Sequence, residues 1–292
     1  VAAKTKPPST SGPRTRRDAT ERRALPRFTD RIALDKGLSV SPFCLGTVAS
    51  WRLIPAAFEM GINFFFFTTD MHWPVYEASR KGMKALLARG GGTRDEIAVA
   101  GACYPTQPEF MVAPFTELVE AVPRLERVDV FVAGGVHGPD LLARTAVLRT
   151  VAADAGRGVV GASFHDRRAA LDAANLRIVD VCYVRYNPVH PGAREDLLPQ
   201  LRARRPPVFN FNSMIGFVPH ERLRALKVDP ALWYPDPPDY YRYALSRPQM
   251  DGLMFAADHT THLVALERAL TQGGLTPAEE DHLEGLAVVT AR

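Results

Sequence analysis

Four side chains able to move protons or bind metals each follow an apolar run. His72 comes after Phe64-Phe65-Phe66-Phe67, Cys103 after Ile97-Ala98-Val99-Ala100, His137 after Val128 to Val132, and His165 after Val159-Val160. An imidazole titrates near neutral pH, so two of them brought together can give and take a proton in one reaction. His72 and His137 are the expected acid and base, with Asp70 the expected carboxylate beside them. His and Cys are also the ligand types that zinc, copper or iron prefers, and Cys44 and Asp166 lie within topological reach. No close ligand pair such as C-x-x-C supports a metal, and eight histidines in a chain of this size will often meet by chance, so no metal ligand is assigned.

The elements that must position these groups start with Gly61-Ile62-Asn63-Phe64-Phe65-Phe66-Phe67. An unbroken apolar run of strand length, entered from Gly and left through polar residues into a helical pattern, reads as a parallel strand buried on both faces. Further strands are expected at 40–46, 96–101, 128–132, 159–163, 178–185, 208–212 and 252–255. Helices are expected at 50–60, 76–89, 141–155, 167–174, 194–202 and 240–245, with one broken near Pro114, one starting near Thr260 and an appended one at 277–289. Gly61 suits the C′ position of the first helix. Residues 32–34 and 38–40, turning at Lys36-Gly37, suit a short hairpin ahead of the first strand. Eight strand-then-helix units predict an α/β fold, a (β/α)8 TIM barrel, whose chemistry belongs at the C-terminal strand ends.

At 292 residues and 46% hydrophobic content, one barrel-sized domain over 31–292 accounts for the chain. No apolar run approaches membrane-spanning length, so no membrane span is expected. Three scattered cysteines make no disulfide framework and predict thiols in a reducing compartment, cytoplasmic or organellar. The sequence starts at Val1, which leaves room for a trimmed targeting segment. The net charge of +4 is uneven: residues 1–36 carry ten Lys or Arg against four acids, a net +6 that leaves −2 on the rest. Residues 1–30 are expected to be an extended basic tail, rich in Pro, Ser and Arg, that docks on a protein partner or a second copy of the chain. No nucleic-acid face is expected on the barrel.

Several fragments resemble the aldo-keto reductases in order and spacing over residues 31–290. Gly61-Ile62-Asn63 with two apolar residues, then Glu77 and Gly82, is similar to that family's second strand and following helix. Gly161-Ala162-Ser163 resembles its Gly-Val-Ser, Tyr186-Asn187 its Tyr-Asn, and Ala244-Leu245-Ser246 its Ala-Leu-Ser. The resemblance implies a barrel whose hairpin plugs the bottom, and a hydride transfer from a nicotinamide cofactor in which a Tyr gives the proton, aided by Lys, Asp and His.

Most of that set is replaced here. Phe66 or Phe67 stands where the family has Asp, Met71 or His72 where it has Tyr, and Ala102-Cys103 where it has Lys. The family's His falls on Gly134, although Val136-His137-Gly138-Pro139-Asp140 resembles its His-X-Pro-Asp, and a bulge at Gly134-Gly135 would restore His137 to that place. The alternative is a solvated loop histidine. The resemblance implies an NADP(H) site kept in part: Ser163 for the carboxamide, Phe211 stacked on the nicotinamide, Asn187 nearby, and Thr260 at a helix start able to take a phosphate. Phe164, Tyr183 and the repelling Asp258 weaken it.

Two other features stand apart from the resemblance. Trp73, Tyr76, Tyr104, Phe164, Tyr183 and Phe211 can wall an aromatic pocket or simply pack. Arg185 puts a charge inside a buried strand, where it needs a salt bridge or an anionic ligand.

The expected function is that of an atypical aldo-keto-reductase-like enzyme on a small organic molecule, with ordinary NADPH carbonyl reduction impaired or lost. A catalytically inactive barrel serving as a binding or structural subunit is the second expectation, and a metal-dependent enzyme the third.

Overall fold

Phe64 to Phe67 are buried without exception because both sides of their strand are covered. Phe64 meets Phe209 and Phe66 meets Tyr183 within the barrel, while Phe67 lies against Tyr76. Aromatic edges suit such crowding, since large rings fill a closed cylinder with few polar atoms to satisfy.

The computed structural model describes residues 22–156 and 158–290. A two-stranded hairpin, β1 (Ile32–Ala33) and β2 (Ser39–Val40), precedes the barrel and turns through Lys36 and Gly37, both at positive φ. The barrel strands are β3 (Phe43–Val48), β4 (Phe64–Thr68), β5 (Ala98–Cys103), β6 (Val130–Val136), β7 (Val159–Phe164), β8 (Val181–Arg185), β9 (Val208–Phe211) and β10 (Gly252–Ala257). They close in sequence order, β10 pairing with β3, and every barrel pairing is parallel. This is the expected (β/α)8 TIM barrel.

The helices are α1 (Leu53–Glu59), α2 (Glu77–Leu87), α3 (Thr93–Glu96), α4 (Ala113–Ala121), α5 (Leu141–Asp154), α6 (Arg167–Asn175), α7 (Ala193–Asp196), α8 (His220–Ala225), α9 (Pro237–Leu245), α10 (Thr260–Leu270) and α11 (Pro277–Thr290). The helix expected over 194–202 is split: α7 ends early and a 3-10 turn, Leu198–Gln200, takes over where Pro199 has no N–H to donate. Helix α9 starts earlier than expected because Asp236 and Asp239 form a capping box around Pro237-Pro238. Among the described residues no helix is long and apolar enough to cross a membrane.

Strand ends also moved. The first barrel strand begins at Phe43 rather than Val40, which pairs with Ile32 in the hairpin. Strand β6 runs on to Val136 because the Gly134-Gly135 pair forms a bulge, with Gly135 at φ +63 and the register against β7 shifting between Ala133 and Val136.

Residues 1–21 lie outside the described residues. Arg22 to Asp30, however, belong to the barrel rather than to a tail. Phe28 is fully buried edge-on against Phe43, and its carbonyl accepts from the Ser41 hydroxyl. Thr29 presses on Gly61, whose φ of +102 and missing Cβ permit the contact. The Arg23 guanidinium donates to the carbonyls of Leu245 and Arg247, and Arg22 forks onto the Glu279 carboxylate. One aromatic and two arginines therefore fix this segment to its own chain.

Candidate functional site

The end of β4 is where polar atoms are least satisfied. Seven buried side-chain polar atoms among the described residues lack a hydrogen-bond partner, and four of them are Thr68 Oγ1, Thr69 Oγ1, Asp70 Oδ1 and His72 Nδ1. Such groups are rare in folded proteins, and a role in chemistry or binding is one explanation for them. Asp70 Oδ2 accepts from the Tyr104 backbone N–H at 2.7 Å, which anchors the carboxylate. Its Oδ1 lies 3.7 Å from His72 Nδ1. The Asp70 side chain is 14% exposed and that of His72 43%, so the carboxylate sits behind an imidazole open to solvent. A carboxylate facing one ring nitrogen of a solvent-open imidazole is the arrangement of acid–base dyads.

Tyr104 connects this dyad to the next strand ends. Its ring packs against His72 at 4.8 Å between centroids and lies over Gly134 on the far side. Beneath it, Arg144 of α5 is 1% exposed and donates to the carbonyls of Cys103 at 3.0 Å and Gly134 at 2.9 Å, while pairing with Asp140. The ends of β5 and β6 are thus tied by one buried guanidinium. Its position was readable: Leu141, Arg144, Thr145 and Leu148 form the i, i+3, i+4, i+7 stripe that a helix turns to its core.

No hydrogen bond or ring contact joins His72 to His137. His137 is exposed beyond the bulge, where its N–H donates to Asp140 Oδ1 at 2.8 Å and it starts the turn Gly138–Asp140. The bulge does bring it to the strand end, but the groups that sense its charge are His165 and Asp166. Hydrogen bonds from Ala169, Gly138 and Arg168 backbone N–H groups, with burial opposing them, hold Asp166 below its ordinary pKa.

His72, Cys103, His137 and His165 do not converge on one point. Among the described residues no three His, Cys, Asp or Glu side chains converge to hold an ion. All three thiols are free and buried. Burial pushes Cys103 up to about 12 despite the neighbouring Arg144 charge, and Cys182 to about 12 as well.

The residues expected to hold a cofactor are scattered in role. Ser163 Oγ accepts from the Gly135 N–H at 2.9 Å, so it supports the bulge. Phe211 is buried with its ring edge-on to His165 at 5.2 Å between centroids. Asn187 is fully buried and spent: its amide donates to the Asn212 carbonyl, and its Oδ1 takes the N–H groups of Val189 and His190. Thr260 is exposed at the start of α10 and lines a cleft of about 1230 Å³ walled by Met214, Phe217, Trp233 and Tyr241. Asp236, Asp258 and Arg268 also line that cleft, Asp236 with its Oδ1 3.4 Å from His220 Nε2, while Arg22 and Arg242 are paired with Glu279 and Asp239.

Of the aromatic residues expected around a pocket, Tyr183 is core. It lies between Phe66 and Phe209 inside the barrel, its hydroxyl near the Cys44 thiol but without a hydrogen bond. Burial raises the phenols of Tyr76 and Tyr183 well above the ordinary range, which makes both weaker acids than a solvated tyrosine. No family model matches this chain, and no curated protein matches it.

Proposed function

We propose that this barrel is an atypical aldo-keto-reductase-like enzyme acting on a small organic molecule at the C-terminal mouth, with ordinary NADPH-dependent carbonyl reduction impaired or lost. The observation that carries the reading is the cluster of unpartnered buried polar atoms at the end of β4, with Asp70 Oδ1 3.7 Å behind His72 Nδ1. An imidazole so placed serves as a general acid or base on a ligand at the mouth. The reductase proton donor has no counterpart: the nearest phenols are Tyr76 and Tyr104, both with raised pKa values through burial first, and no Lys lies on β5 to stabilise a phenolate.

Two assays test this. Cofactor oxidation with a panel of aldehydes and ketones should stay far below the usual range of about 1 to 10³ s⁻¹. Hydrolysis, isomerisation and elimination screens should find an activity that His72→Ala removes and Asp70→Asn weakens, with melting curves unchanged. Turnover of carbonyl substrates in the usual range would refute the first part. An activity indifferent to His72 would refute the second.

A second reading, a ligand-binding barrel without catalysis, is favoured by one observation: Tyr104 fills the space over Gly134 that a catalytic side chain on β6 would use. A ligand that binds without being converted would decide for it.

A further inference from the structure

Arg185 closes β8 at the mouth, and strand register names its neighbours. Arg185 pairs with Phe211 on β9, while the β7 register, Ser163 with Tyr183 and Phe164 with Val184, sets His165 alongside it on the other flank. Tyr183 packs inside the barrel, so Arg185, two residues on, belongs to the same inward face. His190 is folded back by a bridge to Asn187, whose Oδ1 lies 3.1 Å from His190 Nδ1 and leaves Nε2 without a partner. One guanidinium and two imidazoles therefore share the end of β7 and β8.

Arg185 is half-buried, and alone among the described arginines that are buried or half-buried it makes no hydrogen bond or ion pair. Arg94, Arg144, Arg194, Arg205 and Arg242, comparably or more deeply buried, all have carboxylate partners. No acid is free to serve it. Asp166 caps α6 through the N–H groups of Arg168 and Ala169, and Asp196 is forked by Arg167. A half-desolvated cation with five unused donors is unfavourable until an anion completes it. Its field is felt locally: burial first, and Arg185 next, hold both His165 and His190 below their ordinary pKa.

We propose that Arg185, flanked by His165 and His190, binds the oxyanion of a small molecule, a carboxylate or a phosphate, with Phe211 packed against the carbon frame of that ligand. The planar guanidinium matches either group with two parallel hydrogen bonds. This names the ligand class for the mouth proposed above and rests on that mouth being the ligand site, but it concerns binding alone and is tested without turnover.

The full chain is titrated with inorganic phosphate and, separately, with succinate at pH 7 and constant ionic strength, following the histidine ring resonances. The expected result is saturable movement of His165 and His190 for at least one probe, with a Kd on the order of 1 mM. The probe that saturates identifies the source as phosphate or carboxylate. Arg185→Gln should weaken binding at least tenfold, Arg185→Lys less, and the exposed Arg204→Gln not at all. His72→Ala should bind the probe like the parent chain, so failure of the catalytic reading and failure of this one are distinguishable. Should Arg185→Gln not fold, Arg185→Lys and the histidine shifts of the parent chain decide. Absence of saturable shifts for both probes, or equal weakening by Arg204→Gln, overturns the proposal.

Discussion

The Tyr104 ring occupies the space that a side chain on Gly134 would need: a Cβ built on Gly134 comes within 2.7 Å of Tyr104 Cε1 and Cζ. Two residues on neighbouring strand ends are thus locked in a large-for-small exchange. The position that the family resemblance assigns to a histidine is closed by a ring from next door.

That exchange predicts the cost of restoring a side chain. Gly134→Ala should lower stability by about 1 to 3 kcal/mol through overpacking. Adding Tyr104→Ala should remove much of the penalty, giving a favourable coupling in a double-mutant cycle measured by urea unfolding. Costs that simply add would mean that the ring is free to move aside.

Arg144 is the second expected point of failure. Its guanidinium holds the carbonyls of Cys103 and Gly134 and pairs with Asp140 while almost wholly buried. Arg144→Met keeps the volume but leaves those acceptors unserved, and should cost about 2 to 5 kcal/mol. Denaturant midpoints at unchanged m-value provide the measurement.

The histidines at the mouth give a pH signature. His165 and His190 both have folded pKa values below the ordinary 6.5 through burial and then Arg185. The unfolded chain therefore takes up these protons first, so stability is full above about 6.5 and erodes as pH falls from there towards the folded values. In Arg185→Gln both pKa values should rise towards 6.5 and the erosion should shrink. Ring titration by NMR reads each histidine separately, and unchanged values in the variant would show that Arg185 does not face them.

At the other end of the chain, Phe28→Ala should cost about 3 to 5 kcal/mol, as expected for a fully buried aromatic and not for a residue in a free tail. The Arg22 fork, despite opposing burial, lowers Glu279 to about 2. A depressed carboxylate stabilises above its unfolded value near 4.5 and loses that contribution as pH falls towards 2. Arg22→Ala should therefore raise the Glu279 pKa and flatten the melting temperature between those limits, which a pH series of thermal scans would reveal.

The barrel was legible in the chain because strand and helix patterns alternate eight times, and each apolar run is long enough to be buried twice over. Gly134-Gly135 was legible as a bulge, since two adjacent glycines inside a strand give the backbone the freedom a bulge requires. Arg185 was legible as a charge needing a partner. What neighbours supply was not: Tyr104 over Gly134 depends on the register between β5 and β6, and the distance between His72 and His137 depends on loops that no periodicity describes. Phe28 escaped notice because one aromatic among polar residues leaves no pattern.

The three thiols give this barrel a built-in reporter. Cys44, Cys103 and Cys182 sit on β3, β5 and β8, all essentially inaccessible, and burial raises the pKa of each. Since only an exposed thiolate reacts quickly, the folded chain should be nearly inert to alkylating reagents and to mild oxidants. Each opening of the barrel then unmasks labels on three separated strands. Pulsed alkylation followed by mass measurement would show whether the closed sheet opens all at once, with zero or three labels, or strand by strand with one and two.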